Sequence, residues 1–121
     1  MGDLSDHFSK YEFRCKCGCG YDDVQPLLVS MLEWMRVTLG RPMVINSGCR
    51  CRPYNTLIGG NPNSEHMDGQ AADIRIGNSA QRREMVKLAW EAGFKRLGVA
   101  NGFVHVDTDT YKPQDRLWLY K

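Results

Sequence analysis

The chain of 121 residues lacks any apolar run long enough to span a bilayer, and its opening, Met1-Gly2-Asp3-Leu4-Ser5-Asp6-His7-Phe8, has neither a basic leader nor an apolar segment of signal-peptide length. The expectation is a chain made as a soluble protein without a signal peptide, cytoplasmic until it is released and not inserted in a membrane. An excess of one charge is also missing. The 16 Lys and Arg against 14 Asp and Glu leave a formal charge of +2. That gives no support to a nucleic-acid partner and would help approach to an anionic polymer only slightly. Repeats and low-complexity linkers are absent, and 13.8 kDa leaves room for one core rather than two. Residues 1–121 are therefore read as a single domain, expected to act as a monomer.

C-x-x-C knuckles are missing as well. The five cysteines form two tight groups, Cys15, Cys17 and Cys19, then Cys49 and Cys51, all at C-x-C spacing. An odd count cannot pair completely, and thiolate zinc sites usually draw on the wider spacing. The plainer reading is a set of reduced, partly buried thiols joining the amino-terminal segment to the loop at Cys49, with one disulfide between the groups open to an oxidising site of action. A cysteine-bound zinc is the remoter reading, and it requires more than one metal per chain.

What is present alternates between helical and extended patterns. Leu28, Met31, Leu32, Met35 and Leu39 recur at helical spacing, which predicts a helix from about Pro26 to Leu39, capped by Asp22 or Asp23 and ended by Gly40. A short strand is expected over Pro42 to Asn46 and a short helix over Pro53 to Ile58. Gln70 to Ile76 reads as a strand with Ala72, Ile74 and Ile76 on one face and Ala71, Asp73 and Arg75 on the other. Ser79 can cap a second long helix through about Ala92, with Met85, Leu88, Ala89 and Ala92 as its apolar stripe. Strands follow at Arg96 to Ala100, Phe103 to Thr108 and Leu117 to Tyr120, the first two joined by Asn101-Gly102, a tight-hairpin signal. The expected fold class is α+β, a small antiparallel sheet flanked by helices.

Histidine is scarce too, yet two of the three stand where a metal would suit them. His66 and Asp73 lie seven residues apart in Asn63-Ser64-Glu65-His66-Met67-Asp68-Gly69-Gln70-Ala71-Ala72-Asp73-Ile74. His105 lies in Phe103-Val104-His105-Val106-Asp107, where alternation puts His105 and Asp107 on one face and the valines on the other. Each residue alone has a duller explanation, as a satisfied structural histidine or a turn-bonding carboxylate. Should the two strands be neighbours, His66, Asp73 and His105 converge on one ion with a position left open. Two His and one Asp with an open position make a catalytic rather than a structural zinc site. Zinc there would bring the pKa of a bound water down to around 7 and polarise a carbonyl, so one zinc per chain and a hydrolase are expected.

The run Ser64-x-His66-x-x-Gly69-x-Ala71-x-Asp73, preceded by Ser47-Gly48-Cys49-Arg50 and Asn55-x-x-Ile58-Gly59-Gly60, resembles the zinc D-Ala-D-Ala carboxypeptidases, which share a fold with the hedgehog signalling domain and with phage peptidoglycan peptidases. The resemblance extends from Leu4-Ser5-x-His7-Phe8 and Phe13-x-Cys15-x-Cys17-Gly18 to Phe103-Val104-His105-Val106-Asp107. It implies the hedgehog/DD-peptidase fold and zinc ligation by His66, Asp73 and His105. It also implies a substrate-holding Arg50, whose fork of donors suits a carboxylate or a developing oxyanion, and a Ser64 that bonds substrate or a ligand. The implied activity is cleavage of bacterial peptidoglycan stem peptides by zinc-activated water, as a D,D-carboxypeptidase or an endolysin-type endopeptidase, in a phage-type lysis enzyme released to the cell wall or in a domain of a wall-remodelling system.

Two places depart from that pattern. Relatives carry a Glu or Asp three residues before the last ligand, or a His two before it; here Gly102 and Phe103 stand there, and neither takes a proton. Asp107, beside His105, becomes the candidate general base, with a supporting hydrogen bond as its duller role. Asp109, Glu65 and Asp68 are the weaker substitutes. Cys49 replaces the usual tyrosine before Arg50, which is expected to reshape the pocket. The missing base supports the alternative of a non-catalytic, zinc-containing module that binds cell wall or a partner.

Overall fold

A computed structural model describes residues 2–120. Three α-helices and five strands alternate along the chain: α1 (Pro26–Leu39), β1 (Ile45–Ser47), α2 (Arg52–Leu57), β2 (Ala71–Arg75), α3 (Ser79–Glu91), β3 (Arg96–Val99), β4 (Phe103–Asp107) and β5 (Arg116–Leu119). The α+β expectation holds, and the elements fall within a few residues of their predicted bounds. Two caps differ. Gln25 precedes α1 without a side-chain bond, Pro26 opening the helix instead, and Asn78 rather than Ser79 caps α3 by accepting the Gln81 N–H at 2.9 Å.

The sheet runs β1-β2-β4-β3-β5, and it is mixed rather than antiparallel, because β5 lies parallel to β3. A hairpin joins β3 to β4, so β4 ends where β3 begins. The segment 108–115 then steps past the end of β3 and lets β5 start on its far side. Passing one strand means covering two interstrand spacings, roughly 10 Å, which eight residues reach easily. Sequence alternation identifies β5 as a strand but does not say which neighbour it takes.

One face of the sheet is apolar. Ala72, Ile74, Leu97, Val104 and Val106 are fully buried against Leu28, Leu32 and Met35 of α1 and Met85, Leu88 and Ala89 of α3. Phe8 and Phe13 join this core from the amino-terminal segment, and Ser5 Oγ and the His7 backbone N–H donate to Glu33 of α1 at 2.6 and 2.8 Å. Cys49 is buried in the same core and does not line the cleft described below, so the expected effect of this residue on the pocket does not come from the cysteine's own contact with it. The cysteines are free thiols, with no disulfide among the described residues. No described helix is long and apolar enough to cross a membrane.

Candidate metal centre

The opposite face of the sheet carries the polar groups, and strand register aligns them. Ser47 pairs with Asp73, Asp73 with His105, His105 with Gly98, and Gly98 with Trp118, so one row crosses all five strands. Side chains in such a row share a face because strand side chains alternate with a period of two. His66 reaches the row from outside the sheet. Ser64 caps a turn of 3-10 helix at Glu65–Asp68, its Oγ accepting the His66 N–H at 3.2 Å, and Gly69 ends the turn with φ of 68°. A side chain at Gly69 would strike the Asp23 carbonyl, its Cβ falling 2.3 Å from that oxygen, so glycine there permits the close turn that aims His66 at Asp73.

Asp73 Oδ1 lies between the two imidazoles, 3.2 Å from His66 Nε2 and 2.9 Å from His105 Nδ1. One ligand atom from each of the three lies within 4.8 Å of the others, and all three residues are buried. The far nitrogen of each ring is engaged as well. His66 Nδ1 meets the Gly48 carbonyl at 2.6 Å and His105 Nε2 meets Asp107 Oδ2 at 2.7 Å, contacts that fix which nitrogen of each ring faces Asp73. The donor set fits a zinc ion: two imidazoles and a carboxylate converge, each ring is oriented from behind, and His66, Asp73 and His105 all line a cleft of about 620 Å³.

The electrostatics point the same way. Burial would raise the Asp73 pKa, but hydrogen bonds from His105 and His66 outweigh it and hold the carboxyl well below its usual range. For His105, burial opposes the charged form, yet the bonds to Asp107 and Asp73 lift the pKa to about 9. An imidazole between two carboxylates calls for a positive charge, which a proton or a metal ion satisfies.

Arg50 stands beside the three, donating to Asp73 Oδ2 at 3.4 Å, Ser47 Oγ at 3.2 Å and Asn55 Oδ1 at 3.3 Å. Ser64 lines the cleft near it. Asp107 lies behind His105 and outside the cleft lining, 1% exposed, with Oδ1 accepting from Arg96 Nε at 2.8 Å and from the Asp109 N–H at 3.2 Å. Asp109 is buried beside it and Asp68 is exposed, and neither lines this cleft.

Of the weaker base candidates only Glu65 lines the cleft, while Trp118, Tyr120 and Lys112 escaped the sequence. Glu65 faces the cavity, with Oε2 on Lys112 Nζ at 2.6 Å and Oε1 only loosely approached, 3.5 Å from Arg96 and 3.7 Å from His105. Burial resists its ionisation, but the Lys112 bond prevails and brings the pKa to about 2. Trp118 and Tyr120 form the far wall, with ring centroids 5.5 and 6.5 Å from that of His105. Alternation along β5 puts those two on one face, so their partnership was readable once the strand had a place. Lys112 sits in a loop and had no sequence signal.

Comparison with protein families decides the membership. The sequence matches the family model described as Peptidase M15 over residues 6–107. The chain belongs to the M15 peptidases. It is thereby a member of a zinc metallopeptidase family, and the match covers every residue proposed above as a metal ligand. Comparison of the whole sequence with curated proteins gives no match.

Proposed function

We propose that this M15 member is a peptidoglycan peptidase that holds one zinc through His66 Nε2, Asp73 and His105 Nδ1 and cuts stem peptides at or near a D-amino acid. The observation that carries this reading is the convergence of the three ligand atoms within 4.8 Å, with both rings held from behind. Zinc bound there supplies Lewis acidity toward the scissile carbonyl and acidifies water.

The remaining tasks fall to the chain. Arg50 binds a substrate carboxylate or the oxygen that gains charge, using guanidinium donors that its contacts at 3.2 to 3.4 Å leave lightly held. Ser64 and Asn63 line the approach, and Trp118 with Tyr120 gives the substrate an apolar wall. Asp107 serves as a positioning residue: its two oxygens are taken by His105, Arg96 and the Asp109 N–H, so it orients His105 and has no free lone pair directed at a substrate. Glu65 is the one cleft-lining carboxylate besides Asp73 among the described residues, and its Oε1 is the site assigned to proton transfer. An adjoining hollow shares Asn63, Ser64 and Lys112 with the cleft, which favours a substrate that continues past the scissile bond and hence an endopeptidase over a carboxypeptidase.

Zinc content and peptide release from purified peptidoglycan, compared between the parent and His105→Ala, test the proposal. The parent should release peptides while the variant loses both zinc at this site and activity. A zinc-loaded parent that releases nothing from any wall type would overturn the peptidase and leave the non-catalytic wall-binding module. Chemical identification of the products separates release of terminal D-alanine from cutting of cross-links.

A further inference from the structure

The structure gathers Cys15, Cys17, Cys19 and Cys51 at one point, none of them lining the His-Asp-His cleft, with one Sγ from each within 4.8 Å of the others. Three of the separations are resolved: Cys15 to Cys17 at 3.5 Å, Cys15 to Cys51 at 3.8 Å and Cys17 to Cys51 at 3.5 Å. Sulfurs joined in a disulfide sit about 2.05 Å apart. Sulfurs at the corners of a tetrahedron around zinc, with Zn–S near 2.3 Å, sit about 3.8 Å apart. The observed spacing belongs to the second arrangement. We infer that these four cysteines form a second, structural zinc site that ties the amino-terminal segment to the loop carrying Arg50.

The local sequence explains how C-x-C spacing achieves what wider knuckles usually do. In an extended chain, residues 15, 17 and 19 would project in parallel and their sulfurs would spread along the strand. Here Gly18 and Gly20 take φ of 88° and 89°, left-handed values that curl the chain around a centre, and the Cys15 N–H donates to the Tyr21 carbonyl at 2.8 Å to close the loop. The fourth ligand comes from the start of α2. Cys51 precedes that helix, and its backbone N–H points at Cys15 Sγ from 3.4 Å, a donor placed to support a thiolate. Cys49, two residues earlier, turns the other way into the core. The odd count thus divides into four ligands and one packing thiol, which no pairing scheme achieves.

The site has a position in the architecture. The Cys49 N–H donates to the Phe13 carbonyl at 2.8 Å, and the Arg50 N–H donates to the His66 carbonyl at 2.9 Å. Arg50 is therefore flanked by a core-anchored residue and by a ligand of the proposed zinc. A closed four-thiolate ion has no open position, so it would hold the loop and take no part in hydrolysis.

The inference is independent of the peptidase reading, and its test avoids activity. Protein purified under reducing conditions should contain two zinc ions per chain, and X-ray absorption at the zinc edge should show a sulfur shell near 2.3 Å besides a nitrogen and oxygen shell. The paired variant His66→Ala, His105→Ala should keep one zinc with the sulfur shell alone, and adding Cys17→Ser and Cys19→Ser should remove it. A parent whose zinc shows only nitrogen and oxygen neighbours would overturn the site. So would a zinc-loaded parent in which all five cysteines react with an alkylating agent as fast as in metal-stripped protein. Both readouts on the parent stand even if the variants fail to fold.

Discussion

At the scale of single residues, the proposed function divides between Asp107 and Glu65 what one carboxylate does in a simpler site. Both lie near His105 Nε2, at 2.7 Å for Asp107 and 3.7 Å for Glu65, but only Glu65 lines the cleft. Asp107→Ala should weaken zinc binding about 10- to 100-fold, as loss of a group orienting a ligand does. It should also cost about 3 kcal/mol of stability by leaving the buried Arg96 guanidinium without its closest partner. At saturating zinc its kcat should stay near the parent's. Glu65→Gln should retain zinc and lower kcat about 100-fold, a usual size for a proton-transfer group. Steady-state kinetics at measured zinc occupancy compare the two, and a kcat loss in zinc-saturated Asp107→Ala as large as in Glu65→Gln would return the base to Asp107.

At the scale of elements, two junctions carry predictions. The first joins the amino-terminal segment to α1 through Glu33, which accepts from Ser5 and from His7. Burial works against its ionisation, but these bonds win and lower its pKa. A depressed carboxyl contributes stability that is present above its unfolded value, about 4.3, and is lost as pH falls through the lower folded value. The denaturant midpoint should therefore drop more between pH 5 and pH 3 in the parent than in Glu33→Gln; equal drops would remove Glu33 from the account. The second junction is β3 against β5. A Cβ on Gly98 would fall 2.5 Å from the Tyr120 ring and 2.6 Å from Trp118 Nε1, so Gly98→Ala should push both aromatics from the cleft wall. A rise in KM with unchanged zinc content and about 1–3 kcal/mol lost stability is expected, measured by kinetics and thermal melts.

The same elements mark what could be read in advance. Helical spacing of Leu28, Leu32 and Met35 and alternation around His105 placed α1 and β4, because periodicity is a local property. The alternation around Asp73 and His105 also put both on the polar face. Their register opposite each other, and the position of Trp118 beyond Gly98, depended on strand order, which no single segment encodes. Lys112 reaches Glu65 across 47 residues of chain, and such a meeting leaves no periodic trace. The clustering of three C-x-C cysteines with Cys51 was hidden for a like reason, since the turns at Gly18 and Gly20 override the extended spacing.

At the scale of the whole molecule, the proposed ion binding is expected to be coupled to folding. The three proposed cleft ligands come from a turn of 3-10 helix and two strands, so an unfolded chain holds no preformed site and an ion bound there would add to stability. With free zinc at 100 times its dissociation constant, removal of one ion should cost about 2.7 kcal/mol. For a domain of this size that lowers Tm by roughly 10 °C. Scanning calorimetry before and after chelation checks it, and an unchanged Tm would mean that the native fold gains nothing from the metal.

The row Ser47, Asp73, His105, Gly98, Trp118 lies on the side of the sheet that the core helices do not touch, with Val104, Val106, Ala72 and Ile74 facing the other way. Chemistry and cohesion are thus assigned to alternate residues of the same strands, and a change on one side leaves the other side's contacts in place. A reactive molecule and an inert one built on this scaffold are then close neighbours in sequence space. If the proposed peptidase activity holds, substituting one cleft residue converts a cutter of cell wall into a tight, silent reporter of where uncut wall remains.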